Sequence, residues 1–276
     1  MDRIRLIASD MDATLLDEQS QLPADFKETI HALAELGIRF APASGRPLYT
    51  LEAMFPTLQN ELVFIGDNGG AIRWKGQNLF TSEMSPEGWR ALNRLTREQG
   101  DIAVLCGLES AYVERPFAVH DAVLRHFYTK IEYVDRLEDV TAPADKFTIY
   151  LPQHNAQQAY DTVYASQRSI YSVAVAGECW VDIMNPGVHK GAALQTLGQL
   201  WGLPSESMMA FGDTYNDAEM LQTVRYGFLM ENGSAPLRQK VPFLAPSNRE
   251  AGVMQVLHRV LAQNGCVCPE DFVPAH

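Results

Sequence analysis

The chain has no run of basic residues. Its 22 Lys and Arg against 34 Asp and Glu leave a formal charge of −12 over 276 residues. Proteins that neutralise a nucleic-acid backbone concentrate cations, so no nucleic-acid partner is expected. No apolar stretch is long enough to cross a bilayer, and no basic-plus-apolar leader precedes the first strand signal. The expectation is therefore a cytoplasmic protein without membrane contact. Cysteine is scarce and scattered. Cys106, Cys179, Cys266 and Cys268 have no framework spacing, which predicts free thiols in a reducing compartment. There is no G-x-x-x-x-G-K-[ST] phosphate loop and no G-x-S-x-G elbow, which disfavours a P-loop kinase and a serine hydrolase. Internal repeats and low-complexity segments are absent too.

What is present reads as an ordinary globular composition, 46% hydrophobic and 20% charged, with room for two domains. Strand and helix signals alternate at first: strands over 4–9, 38–43 and 62–65, helices over 24–36 and 48–55, then a hairpin of AIRW and NLFT after the turn Asp67-Asn68-Gly69-Gly70. Such alternation argues for βαβ units and a parallel sheet. The middle differs. A helix capped by Ser85 with Pro86 at its first position runs to about residue 99, then strands arrive in pairs (102–106, 111–113, 145–151, YSVAVA, CWVDIM) around helices over 117–127 and 156–166. Paired strands predict an antiparallel sheet with helices on one face. After Pro186 the alternation resumes, with helices over 189–201, 216–224 and 250–263 and strands MMAFG and YGFLM. The expected fold is α/β: a Rossmann-like, doubly wound parallel-sheet core (1–82 and 186–276) interrupted by an inserted α/β cap domain (83–185).

The first strand signal ends in the tract IASDMDATLL, which delivers Asp10 and Asp12 to the carboxyl end of a buried strand. In open α/β sheets ligands bind in the crevice at that edge. Two like charges about 4 Å apart cost roughly 4 kcal/mol at an effective dielectric near 20, so the pair calls for a cation. Further signals sit at other strand ends. ASGRP places Ser44 and Gly45 at the second; HKGAAL puts Lys190 at a helix N-terminus that already favours anions; GDTYND places Asp213, Asn216 and Asp217 beyond MMAFG. Singly, these are turns, caps and solvated charges. Their common position and order are what carry information.

The order D-x-D-x-T, Ser, Lys, G-D-x-x-N-D resembles that of the haloacid dehalogenase superfamily of phosphatases. The large insert between the Ser and Lys motifs is similar to the cap of the Cof-type subfamily. Further similarity covers the D-N-G-G turn, a late N-x-x-x-G-V (Asn248, Gly252, Val253), CGLESAYV and PGVHKG, the last two being most similar to bacterial sugar phosphatases.

The resemblance implies a magnesium-dependent phosphatase acting on small phosphorylated metabolites, sugar phosphates first among them. Enzymes lower such barriers by more than about 20 kcal/mol, so several effects must converge. Asp10 is expected to attack phosphorus and form an aspartyl-phosphate, and Asp12 to protonate the leaving alkoxide and then deprotonate water. Mg2+ is expected on Asp10, the backbone carbonyl of Asp12, and Asp213. Ser44, Gly45, Lys190 and Asn216 are expected to hold the phosphate, each donor worth roughly 3–4 kcal/mol. Asp217, Thr14 and Arg46 are expected in support. Phosphoryl transfer to a sugar acceptor, a phosphomutase reaction, and a catalytically weak phospho-metabolite binder remain alternatives. The assembly is expected to be a monomer or small homo-oligomer.

One departure stands out: the family places Gly after the second Asp, and here it is Ala13. If that position has positive φ, alanine there costs roughly 1–2 kcal/mol. His189 reads as a neighbour of Lys190 rather than an acid. Trp89, Tyr112 and Trp180 read as core, Glu178 and the 107–110 turn as specificity candidates, and 81–85 with 184–187 as a hinge.

Overall fold

All of residues 1–276 are described by a computed structural model. Short β1 (Asp2–Arg3) precedes β2 (Leu6–Asp10), α1 (Phe26–Glu35), β3 (Arg39–Ala43), α2 (Leu48–Ala53), β4 (Val63–Gly66), β5 (Ala71–Trp74) and β6 (Gln77–Thr81). The insert follows as α3 (Pro86–Gln99), β7 (Ile102–Gly107), β8 (Ala111–Glu114), α4 (Asp121–Phe127), β9 (Ile131–Val134), β10 (Ala144–Tyr150), α5 (Ala156–Asp161), β11 (Ser172–Val175) and β12 (Trp180–Met184). The chain closes with α6 (Lys190–Trp201), β13 (Met208–Gly212), α7 (Ala218–Thr223), β14 (Tyr226–Met230), β15 (Phe243–Ala245), α8 (Gly252–Ala262), β16 (Cys266–Val267) and β17 (Val273–Pro274).

Nine strands form one sheet in the order β17-β15-β14-β13-β2-β3-β4-β5-β6. The run from β15 to β4 is parallel, and β17, β5 and β6 join antiparallel. Every residue of β2 is buried, because both faces are covered. Leu6 and Ala8 point into a cluster with Leu194 and Leu197 of α6 and Leu221 of α7, whereas Ile7 points into one with Ile30 of α1 and Leu257 of α8. This period of two is what a doubly wound sheet requires, and β2 lies near its middle.

The six strands β7–β12 form a second sheet, antiparallel except for β8 beside β9. The Ser85 hydroxyl accepts from Gly88 N at 3.1 Å, and Gly100 ends α3 with φ of 74°. Helices were expected on one face only. Trp89 of α3 and Ala156 of α5 do share a cluster, but Leu124 of α4 packs on the opposite face with Trp180. Two expected helices are also shorter: α5 stops at Asp161, and α4 begins at Asp121 after a 3-10 segment, Arg115–His120, that contains Pro116. Strands β9, β15 and β17 carry no clear sequence signal; each is an edge or near-edge strand of 2–4 residues.

The chain crosses between the sheets at two places, bound to each other by Asn185, whose amide donates to Ser82 O at 3.2 Å and Glu83 O at 2.8 Å. The 67–69 turn is packed tightly against the start of α6. Gly69 has φ of 100°, and a Cβ there would lie 2.5 Å from His189 O, so no other residue fits.

Candidate active site

A cavity of about 520 Å3 opens between the C-terminal edge of the parallel strands and the second sheet; Asp10, Asp12, Ser44, Gly45, Asp213 and Asn216 are among its walls. Asp10 ends β2, and Asp12 and Ala13 lie in the π-turn Met11–Leu15 that follows. Ser44 and Gly45 follow β3, and Asp213 follows β13. Lys190 opens α6 and is fully buried. Its position is set by His189, which caps that helix: Nδ1 accepts from Ala192 N at 3.1 Å.

Lys190 Nζ is the hub. It donates to Asp10 Oδ1 in a very short contact and to Asp217 Oδ1 at 2.6 Å. Asp217 uses its other oxygen to accept from the backbone N of Asp213 at 3.0 Å and of Thr214 at 3.3 Å. One carboxylate oxygen from each of Asp10, Asp213 and Asp217 lies within 4.8 Å of the other two. Burial, reinforced by Asp217 and Asp213, pushes the Asp10 carboxyl up to about 8 despite the ammonium beside it. Burial and Asp217 also raise Asp213, to about 6. Burial opposes the charge on Lys190, yet Asp10 and Asp217 outweigh it and hold the ammonium above the usual lysine value. One cation among these carboxylates leaves excess negative charge, all of it on hard oxygen donors, a set that suits a magnesium-sized ion.

Asp12 contributes no side chain to that cluster. Its carboxylate faces the cavity mouth, 59% exposed, clamped by Arg46 through contacts of 2.7 and 3.0 Å. Thr14 Oγ1 reaches Asp213 Oδ1 at 3.5 Å. The buried Ser44 Oγ accepts from Arg46 N at 3.1 Å, and exposed Asn216 accepts through Oδ1 from Thr214 Oγ1 at 2.6 Å. A Cβ on Gly45 would come within 3.3 Å of the Asn68 amide.

Ala13 adopts φ of 58° and ψ of 9°, the left-handed conformation where alanine is strained. The loop is braced from outside: Asn232 Nδ2 donates to Ala13 O at 2.7 Å, and Asn248 Nδ2 to Leu16 O at 2.9 Å. Ala13→Gly removes the strain but adds freedom to the unfolded chain, so the expected net gain is only about 0.5–1 kcal/mol. Urea denaturation reads this; a loss of stability would mean that the methyl group has a compensating contact.

The far wall differs from expectation. Glu178 is 82% exposed and pairs with His154 at 3.2 Å, away from the cavity. Within the 107–110 turn, Glu109 instead binds Arg73 of β5 at 2.6 Å. Trp180 is core, packed with Tyr128 and Tyr150, and one side of it also lines the cavity, as do Asn68, Lys146, Thr148 and Asp182, none of which the sequence marks as a site residue. Asp182 is the single charge of the apolar tract CWVDIM, and Lys146 stands beside Asp145 at the head of the strand tract DKFTIY; charges inside such tracts are the signal by which they can be found.

Comparison with known proteins identifies the family. The family model of haloacid dehalogenase-like hydrolases matches residues 7–257. An Escherichia coli 5-amino-6-(5-phospho-D-ribitylamino)uracil phosphatase is 32% identical over 94% of this chain and 96% of its own length. A Cronobacter sakazakii HMP-PP phosphatase is 31% identical over 87% and 89%. A Streptococcus mutans crystal structure superposes with a TM-score of 0.84 at 28% identity, covering 94% of this chain and 99% of that one. The chain therefore belongs to the haloacid dehalogenase-like hydrolases and is a phosphoric monoester hydrolase. Within that superfamily it is of the Cof type.

Proposed function

We propose that the protein hydrolyses small phosphorylated metabolites, sugar and polyol phosphates foremost, through an aspartyl-phosphate on Asp10. The observation that carries this reading is Lys190 buried between Asp10 and Asp217, directly behind the cavity wall that Asp10 and Asp213 form at the strand ends. The E. coli relative's name specifies a phosphoribityl compound, which supports a polyol phosphate here.

Lys190 occupies Asp10 Oδ1, leaving Oδ2 to attack phosphorus. As that bond forms, the ester P–O bond breaks and Asp12, which must enter this step protonated and released from its ion pair with Arg46, gives its proton to the departing alkoxide. Water then attacks phosphorus on the opposite side, Asp12 takes a proton from it, and the P–Oδ2 bond breaks to release phosphate and restore both aspartates. Arg46 keeps Asp12 at the mouth, where leaving group and water both pass. Ser44, the Gly45 backbone, Asn216 and Lys190 would cradle the phosphate oxygens. Asp10, Asp213 and the Asp12 carbonyl would hold Mg2+, with Asp217 and Thr14 orienting this set; the ion would neutralise charge on the phosphoryl oxygens. Residues 83–185 act as a cap hinged at the two Asn185-bound crossings, closing to exclude water from the first step.

The test is phosphate release from a panel of sugar, nucleotide and cofactor phosphates, with Mg2+ and with EDTA. Turnover is expected only with Mg2+, falling by at least about 10^3-fold on chelation, since a Lewis acid supplies several kcal/mol. Metal-independent release would remove the ion from this reading. Phosphate appearing on an added sugar acceptor would favour the transferase.

A further inference from the structure

The insert sends one cation into the phosphate end of the cavity. Lys146 lies on β10, a strand paired on both sides, to β7 and to β12. It is only 2% exposed, yet it lines the cavity. A lysine is buried so completely only when its charge is paired. Its Nζ stands 3.6 Å from Oδ2 of Asp182, which is diagonal to it on β12, and Thr148 Oγ1 holds the other Asp182 oxygen at 2.7 Å. Burial opposes the charge, but Asp182 and Asp67 outweigh it and keep the ammonium well above the usual lysine value.

Two groups that meet this ammonium come from outside the insert. Asp67 Oδ1 lies 3.0 Å away, and Gly45 O accepts from Nζ at 2.6 Å. The second contact falls in the loop after β3. There the 67–69 turn secures the flanking carbonyls, with Asn68 N donating to Ser44 O at 2.9 Å and Asp67 N to Arg46 O at 3.0 Å. The carbonyl between them is held by Lys146. At the other end of the same peptide, Arg46 N donates to Ser44 Oγ at 3.1 Å, which leaves the hydroxyl proton for a phosphate oxygen. The Arg46 side chain clamps Asp12. Rotation of this one peptide therefore moves a phosphate donor and the clamp on the acid together.

We infer that Lys146 is a positioning residue for the hydrolysis: carried on the insert, it fixes the Gly45–Arg46 peptide, and through it Ser44 and Arg46, so that the phosphate site is complete only while the insert lies against the parallel sheet. The inference rests on the phosphatase reading above and adds to it a residue that touches no reacting atom. Swinging the insert away withdraws the ammonium, frees that peptide and leaves Asp67 without its cation. Closure then assembles the site as well as excluding water from it.

The experiment measures kcat and KM separately, by phosphate release with Mg2+, on ribose 5-phosphate and glucose 6-phosphate. Lys146→Met is expected to lower kcat by about 10^2-fold, the cost of a displacement near 1 Å, with KM changed by less than about threefold. The factor should be the same for both sugars, because Gly45 lies at the phosphate end. Lys146→Arg, which keeps a cationic donor, should regain about tenfold of the loss. Since Lys146→Met strands buried carboxylates, it is paired with Asp67→Asn, at a position with φ of 49° that asparagine tolerates. That double variant should melt closer to the parent while its kcat stays low. A loss carried by KM and different for the two sugars would make Lys146 a substrate contact and overturn the inference. Parent-like kcat in a variant that only melts earlier would reduce Lys146 to a structural ion pair and overturn it as well. Both results leave the phosphatase standing; no release by the unaltered protein from any phosphate ester would overturn that reading and this one together.

Discussion

Asp10→Asn is expected to abolish turnover, lowering phosphate release by at least about 10^4-fold, equivalent to about 5.5 kcal/mol of transition-state stabilisation. The substitution is nearly isosteric. Its amide oxygen can still accept from Lys190, so the buried hub persists, but the atom now facing phosphorus is an amide nitrogen whose lone pair is delocalised. No covalent intermediate can form and none of the later steps can compensate. Stability should hold, because the change removes one buried negative charge from a cluster of Asp10, Asp213 and Asp217 that already exceeds its single cation. The paired measurements are steady-state phosphate release and thermal denaturation. A variant that melts with the parent yet turns over within about tenfold of it would remove Asp10 from the nucleophile's role.

Much of this site was legible because its residues sit where secondary structure changes, and those changes are marked by local chemistry. An apolar run ending in two aspartates can only be a buried strand meeting solvent, and Leu6–Asp10 is one. The cap of α3 was equally readable, since Ser85, Pro86 and Gly100 act within a few residues of each other. What one chain position could not reveal was contact between the two large sheets. Asn68 looked like part of a turn, and it is one, with φ of 54°, but its amide also spans 114 positions to Asp182. Trp180 is core, as tryptophan in a strand suggests, packed with Tyr128 and Tyr150; that it also lines the cavity depends on how the two sheets face each other, which no local pattern carries. The geometry of Ala13 was posed as a condition on φ, and the loop answers it with 58°.

Lys190→Met should be the most destabilising single change at the site, costing about 3–5 kcal/mol, because it strands two carboxylates in a buried space. Lys190 is completely buried, and its Nζ serves Asp10 and Asp217 together. A methionine fills much of the volume, so packing loss is small and the deficit is electrostatic. That origin makes a compensating change possible. Adding Asp217→Asn removes one stranded charge, while its side-chain oxygen can still accept from the backbone N of Asp213 and Thr214, the contacts that Asp217 makes now. The double variant should therefore recover about half of the lost stability, a coupling between neighbours that independent sites would not show. Activity should not follow: both variants lack the ammonium expected on the phosphate oxygens and should remain down by at least about 10^3-fold. Urea denaturation in EDTA isolates the protein's own charges, and phosphate release with Mg2+ reads the chemistry. Additive stability losses would show that Asp217 is held by its backbone contacts alone. Recovered activity alongside recovered stability would show that Lys190 supports the fold without touching the phosphate.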